Sequence, residues 1–446
     1  MGRCHAKWKE SDLLALWLEQ VPLNTPLAAS PGTLVRVREK GRRNPDSGPD
    51  LCDALLDIGG RLIRGDIEAH LCADDWYAHG HHLDPAYNRV ILHIVAGDPR
   101  PGGSVRCQNG REVLQLSLRM KQQGSTADDC ALRREDDRTR FKVIERAGDD
   151  RMEIKINRYV EQRHDDSWNQ ILYNALLESL GYSKNKIPFR ELGRRVPVEL
   201  LLAAIRFDPP DRALCKCQAV LFGAAGLLSQ TVLSRRPVDR ELSSYLDTLR
   251  ALWLDFPARN RIEPLAPGAW KYFRLRPYNF PARRIAAAAA LLVRLSGRGF
   301  FQALCTPVRS DPGRLKKTQH ELEQLLMLPA GGIWRDHFAL WLGPKTGRGE
   351  NHLIGRDRAR VMLVDVVYPV LIGYAREIHD GRLQCQARQL ALVCPRTPDN
   401  EITRKMQRRV FGTDKIPSFR ARQQQGLIHL YSQICLTGPC RRCLAS

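Results

Sequence analysis

The feature that most constrains this chain is a change of hydrophobic period along it. Between residues 32 and 118 the chain carries successive strand signals, and from about residue 141 apolar side chains recur at helical spacing. "GTLVRVRE" (32–39) alternates apolar with charged residues, "RVILHIVAG" (89–97) is rich in β-branched residues, and "REVLQLSL" (111–118) gives a further strand signal. A short amphipathic helix is predicted ahead of them over 10–20, with Ser11 and Asp12 as capping chemistry and Leu13, Leu14, Trp17 and Leu18 repeating at helical spacing. Beyond 141, "SWNQILYNALLESLGYSKN", "PARRIAAAAALLVRL" and "ARVMLVDVVYPVLIGYAREI" carry apolar stripes parted by Pro and Gly, with no repeat of fixed period. The expectation is an α+β chain: a mixed β-sheet domain over 1–140, then a large all-α region over 141–446, with an exposed charged stretch at 121–140.

Charge and cysteine content narrow the function classes. Seventy Lys and Arg against 49 Asp and Glu give a net charge of +21, which favours a polyanion such as nucleic acid. The same excess also arises when arginine merely fills solvated helix faces. The longest apolar run, "IAAAAALLV" (285–293), is half a membrane span at most, and no signal-peptide pattern opens the chain. A cytoplasmic protein without a membrane partner is therefore expected, with its thirteen cysteines reduced.

The stretch "GPDLCDALLDIGGRLIRGDIEAH" (48–70) carries the most chemistry. Alternation puts Asp66, Glu68 and His70 on one strand face and Ile67, Ala69 and Leu71 on the other. A two-residue turn at Gly59-Gly60 would pair Leu51 with Glu68 and Asp53 with Asp66. In that register Asp50 faces away from Glu68 unless a bulge or bend lies near Pro49; otherwise Asp53 is the partner carboxylate. Two carboxylates on neighbouring strands can hold Mg²⁺ or Mn²⁺. The plain alternative is a solvated hairpin with a cross-strand ion pair.

Three other clusters call for weighing. His79, His81, His82 and Asp84, with His70 and His93, could bind zinc, though their spacing fits no zinc signature. His93 lies inside "VILHIV" and reads as a satisfied core histidine, whereas His79 and His81 read as phosphate contacts or as donors that orient metal ligands. Trp76 and Tyr87 either stack on bases or cover the sheet. Cys435, Cys440 and Cys443 have ligand-like spacing for zinc or an iron–sulfur cluster, with His429 or Cys394 as the fourth ligand; three free thiols are the alternative. "RLRPYNFPARR" interleaves arginine with aromatic residues, as a phosphate-tracking surface or as an ordinary helical face. "GPKTGRG" (343–349) lacks the ending of a phosphate loop.

Taken together, Asn44, Asp46, Gly48, Pro49 and Asp50, then Glu68, His70, Asp75, Trp76, His79, His81, Asp84, Ala86, Tyr87 and His93, match a long pattern. The chain thereby resembles an uncharacterised bacterial family, domain of unknown function 2851. The likeness continues in "LGYSKNKIPFRELGRRVP" (180–197), "WKYFRLRPYNFPARRIA" (270–286) and the C-terminal "ARQQQGLIHLYSQIC…CRRC". Departures are small, among them Ser47 for Ala and Leu51 for Phe, and the family pattern carries Asn where Asp53 stands. Pro49-Asp50 followed by Glu68-x-His70 is also similar to the Pro-Asp…Glu-x-Lys arrangement of the PD-(D/E)xK nuclease superfamily, with His70 in place of Lys. This second resemblance implies an αβββαβ core and Mg²⁺- or Mn²⁺-dependent phosphodiester hydrolysis of nucleic acid. Asp50 and Glu68, with Asp66, would bind the ion, and His70 would orient or activate water. Glu10 or Glu19 would assist, and Asp75, His79, His81, Asp84, Tyr87 and His93 would support the site or contact phosphate. A non-catalytic nucleic-acid-binding or scaffold protein and a zinc-dependent hydrolase are the alternatives.

Overall fold

In the computed structural model the described residues run from 10 to 435, apart from 31, 45–47, 101, 119–129, 230–238, 274, 311–312, 341–351 and 413–415. They form two compact units, residues 1–124 and 125–446. Among the described residues no helix is long and apolar enough to cross a membrane.

Period-two alternation builds the first unit. Helix α1 (Glu10–Gln20) precedes strands β1 (Pro26–Ala29), β2 (Thr33–Glu39), β3 (Arg42–Arg43), β4 (Leu51–Ile58) and β5 (Arg61–His70). A connection containing the single-turn helix α2 (Asp75–Ala78) leads to β6 (Val90–Val95), followed by β7 (Ser104–Arg106) and β8 (Glu112–Ser117). The sheet order is β1-β2-β4-β5-β6-β8-β7, with β3 paired to β4. The pairs β5–β6 and β6–β8 are parallel and the others antiparallel. The sheet is curled: Ser30, just past β1, bridges Gln115 of β8.

The two faces of this sheet differ in chemistry. Leu13 and Trp17 of α1 are fully buried against Val35, Val37, Leu51, Leu56, Ile67, Ala69, Leu92 and Ile94. This apolar contact holds the layer together, and removing Trp17 from it costs about 3–5 kcal/mol on the usual scale for Trp→Ala. It also fixes α1 on the sheet face that carries Ile67 and Ala69, opposite the face of Glu68. The other face is covered by the β5–β6 connection, where Trp76 and Tyr87 pack with Val90, Val105, Cys107 and Val113. Trp76 donates from its indole N–H to the Arg106 carbonyl at 3.0 Å and is wholly buried, so it covers the sheet and presents no face to a base. The crossover between the parallel strands holds only α2 and two 3-10 turns, His81–Leu83 and Pro85–Arg89, where an αβββαβ order has a full helix.

The second unit is helical. Helix α3 (Asp137–Glu161) is capped by Asp136, whose carboxylate accepts from the Thr139 amide. The expected boundary at 140 thus falls within its first turn, because "DRTRFK" shows too little apolar residue to announce a helix. Helix α4 (Trp168–Leu180) lies in the large apolar core of this unit. α3 packs closely on the helix Ala421–His429 through two glycines. A Cβ on Gly426 would stand 1.8 Å from the Ile144 carbonyl oxygen, and one on Gly148 would stand 2.4 Å from that of Arg422.

Two expectations are corrected here. Arg283 and Arg284 of "NFPARR" are buried, donating to the backbone carbonyls of Trp334, His337 and Leu353, and so bind chain rather than phosphate along a surface. Their aromatic neighbours pack on one another, Tyr272 on Phe280 and Tyr278 on Phe338. Cys72, just past β5, is disulfide-bonded, so the thiols are not uniformly reduced.

Candidate active site

The site is made by one irregularity in the β4–β5 hairpin. Gly59 and Gly60, with φ of 58° and 87°, form the expected two-residue turn, and pairing runs regularly from Ile58↔Arg61 to Ala54↔Gly65. It then slips by one, so that Leu51 stands opposite Ile67 rather than Glu68. The extra residue lies at Cys52–Asp53, where Asp53 takes a left-handed φ of 59°. The bulge reverses the facing of everything before it. Asp50 now meets Glu68, its amide donating to Glu68 Oε2 at 2.9 Å while Ala69 N–H donates to Asp50 Oδ2 at 3.2 Å. The correcting irregularity is therefore this bulge rather than a bend at Pro49. Asn44 braces the approach, donating to the Pro49 carbonyl from its side chain and to the Asp50 carbonyl from its amide.

Asp53 and Asp66 take other partners. Asp53 pairs with Arg42 at 2.7 Å and Arg89 at 3.3 Å. Asp66 accepts the Asp53 amide at 3.1 Å and lies 3.9 Å from Arg89. The bulge thus occupies Asp66, and Asp50 is the carboxylate that accompanies Glu68.

Across the sheet, Glu68, His93 and Gln115 are direct neighbours on β5, β6 and β8. A hydrogen-bonded chain runs through them. The Arg100 amide donates to Gln115 Oε1 at 2.8 Å, and a backbone N–H can only donate, which fixes the Gln115 amide orientation. Gln115 Nε2 then donates to His93 Nδ1 at 2.9 Å. His93 consequently carries its proton on Nε2 and donates to His70 Nδ1 at 2.9 Å. His70 in turn carries its proton on Nε2, which faces His79 Nδ1 at 3.1 Å and Glu68 Oε1 at 3.5 Å. His81 Nε2 lies 3.4 Å from the same Glu68 oxygen and is buried without a hydrogen-bond partner.

Three of the imidazoles, those of His70, His81 and His93, are held well below the usual histidine pKa. Burial, with the neighbouring His93, His81 and His79, depresses His70 to about 2. Burial and His81 depress His93 to about 3. Burial, then His79, lowers His81 to about 4 against the opposing pull of Asp84. The short His–Glu68 separations are thus not ion pairs but a convergence of neutral nitrogen and carboxylate donors, the form in which these groups ligate metals. His70, His79 and His81 each bring a ring nitrogen within 4.8 Å of the others. Tetrahedral zinc would draw such nitrogens to about 3.3 Å, a small contraction. The donor set fits a divalent ion, and the unsatisfied His81 Nε2 is the group an ion would satisfy.

The remaining predicted residues are supports. Asp75 accepts the Cys72 amide at 3.2 Å and Asp84 the Ala86 amide at 2.9 Å, each closing a turn of the connection. The Tyr87 ring lies on the His81 ring, 3.9 Å between centroids, and fixes its plane. Gln115 and the Arg100 amide escaped sequence reasoning, since nothing local marks one glutamine in a strand as the end of a histidine chain. The bulge had one signal: Asp, like the Asn of the family pattern, tolerates a left-handed backbone. At the C-terminus, Cys435 ends a π-turn (Leu430–Cys435) beside the Met406, Val410 and Phe419 cluster, while Cys440 and Cys443 lie outside the described residues. Cys394 is buried, in contact with Gln319 Nε2 at 3.7 Å.

Comparison with curated proteins and with solved structures returns no significant match. The profile of the family described as protein of unknown function (DUF2851) matches residues 10–396, most of the chain, and the chain belongs to that family.

Proposed function

We propose that the N-terminal unit hydrolyses phosphodiester bonds of nucleic acid with a divalent ion held by Asp50, Glu68 and His81. The observation that carries this reading is Glu68: locked beside Asp50 by the bulge, it meets two neutral imidazole nitrogens at 3.4 and 3.5 Å. Imidazole in the donor set favours Mn²⁺ or Zn²⁺ over Mg²⁺. The ion would supply Lewis-acid activation of water and phosphoryl oxygen. His70 stays outside the ligand set, because its Nε2 bears the proton that the Gln115–His93 chain assigns to it. Where a lysine would place a charge, this neutral N–H donates a hydrogen bond that orients water or a phosphoryl oxygen. Arg42 and Arg89 at the bulge, and the net charge of +21, suit a polyanionic substrate.

The test is cleavage of labelled single- and double-stranded DNA and RNA with Mn²⁺, Zn²⁺ or Mg²⁺. Glu68→Gln should lose activity by roughly 10³-fold while nucleic-acid binding persists. No cleavage by the wild type with any ion sinks the reading, and binding without cleavage leaves a non-catalytic nucleic-acid-binding protein. The convergence of His70, His79 and His81 supports a zinc-dependent hydrolase as the second reading. That arrangement needs a bare His70 Nε2, hence a reversed chain with Gln115 turned over against the Arg100 amide. Stoichiometric zinc lost in His70→Gln would select it.

A further inference from the structure

The segments 180–197, 270–286 and 421–435 have no role in the site above, yet residues from all three belong to one connected charged cluster within the helical unit. At its centre is Asp365, in a π-turn (Leu363–Val367) inside an otherwise α-helical stretch. Such insertions recur at functional positions because they turn a side chain out of helical register. Asp365 is half-buried, with 38% of its side chain accessible, and it meets the Lys155 ammonium directly.

Cations outnumber the carboxylate there. Lys155 is ion-paired to Asp365 and donates to Gln425 Oε1 at 2.7 Å, and Arg151 donates to the same oxygen at 2.8 Å. Lys155, Arg151 and Arg358 all act electrostatically on Asp365, while Arg284 adds positive charge beside Arg358 and Lys186 beside Lys155. The Arg358 and Arg284 guanidinium groups lie over the Tyr182 ring, 4.1 and 5.2 Å from its centroid. Arg358 donates to Ser179 Oγ at 3.1 Å, but its Nε is buried with no hydrogen-bond partner. Burial lowers the pKa of Lys155 and of Arg358, against the opposing pull of Asp365. Asp365 is the carboxylate that Lys155, Arg151 and Arg358 share, and positive charge held away from bulk water is costly unless an anion answers it.

We propose that this cluster binds the phosphate or diphosphate group of a small molecule, with Arg358, Lys155 and Arg151 as its ligands and Asp365 as the carboxylate that competes with the anion for them. Guanidinium forks and a lysine point charge together match phosphate oxygens. This site is independent of the phosphodiesterase reading.

The test is calorimetric titration of pyrophosphate and inorganic phosphate into the full chain. The chain carries Glu68→Gln, in chelator, so that the N-terminal centre cannot contribute. One saturable site is expected for pyrophosphate, weakened about ten-fold or more in Arg358→Ala. Asp365→Asn should bind several-fold more tightly, since the carboxylate that competes with the ligand is gone. That second variant retains the test should Arg358→Ala fail to fold. Absence of saturable binding by about 10 mM overturns the proposal. So does an affinity that moves in neither variant, or one that falls in Asp365→Asn.

Discussion

Gln115 decides which nitrogen of His70 carries the proton. Because the Arg100 amide pins its Oε1, its Nε2 must donate, and the tautomers of His93 and His70 follow in sequence. Gln115→Leu should cost about 1–3 kcal/mol by leaving His93 Nδ1 buried and unpaired. Nitrogen-15 NMR should then show His70 and His93 losing their single Nε2–H tautomer, which the wild type should display. The same burial makes a pH prediction. Well above pH 6.5, His70, His81 and His93 are neutral in folded and unfolded chains alike and leave stability unchanged. As pH falls below that, the unfolded chain takes up protons that folded His81, His93 and His70 refuse until about 4, 3 and 2. Stability of this unit should therefore fall with pH, by up to about 1.4 kcal/mol per unit for each histidine. Melting temperatures from pH 7.5 to 4.5 measure this, and His81→Gln should flatten the slope; no acid loss at all would count against the buried network. At this scale the sequence was informative where alternation operates. Glu68 and His70 on one polar face, and His93 as a buried histidine, are visible in "GDIEAH" and "VILHIV". Their partner Gln115 is not, because the contact is between strands.

At the scale of elements, the β4–β5 bulge turns a hairpin into a site. Its two-residue Gly-Gly turn and strand limits could be read from residues 51–70, but a one-residue slip leaves no periodic trace, and it reverses which carboxylate faces Glu68. Deleting Asp53 should restore continuous pairing, carry Asp50 to the opposite face and abolish metal binding while the hairpin remains folded. Metal titration with far-ultraviolet circular dichroism checks both halves. Asp53→Gly should be tolerated, whereas Asp53→Val should cost about 1–2 kcal/mol for forcing a β-branched residue into a left-handed conformation. In the helical unit the matching constraint is Gly426. Its Cβ has no room beside Ile144, so Gly426→Ala should destabilise by about 2–4 kcal/mol in chemical denaturation.

Over the whole molecule, the switch from period two to helical period foretold an α+β chain, and that is the fold observed. Charge was harder to place from sequence. A net +21 says nothing of which arginines are committed inside, and several are: Arg283 to backbone carbonyls, Arg422 to Asp149 and Glu145, Arg360 to Glu323. The proposed nucleic-acid binding would therefore rest on fewer cations than composition suggests, and should weaken steeply but not extremely as salt rises. The metal centre proposed above depends on one bulge, which brings Asp50 beside Glu68. Calorimetric titration of Mn²⁺ or Zn²⁺ into the full chain tests it most directly. One equivalent should bind to the wild type, be retained in His70→Gln, and bind at least about 100-fold more weakly in Glu68→Gln and in His81→Ala. Absence of stoichiometric binding, or binding indifferent to Glu68→Gln, would contradict it.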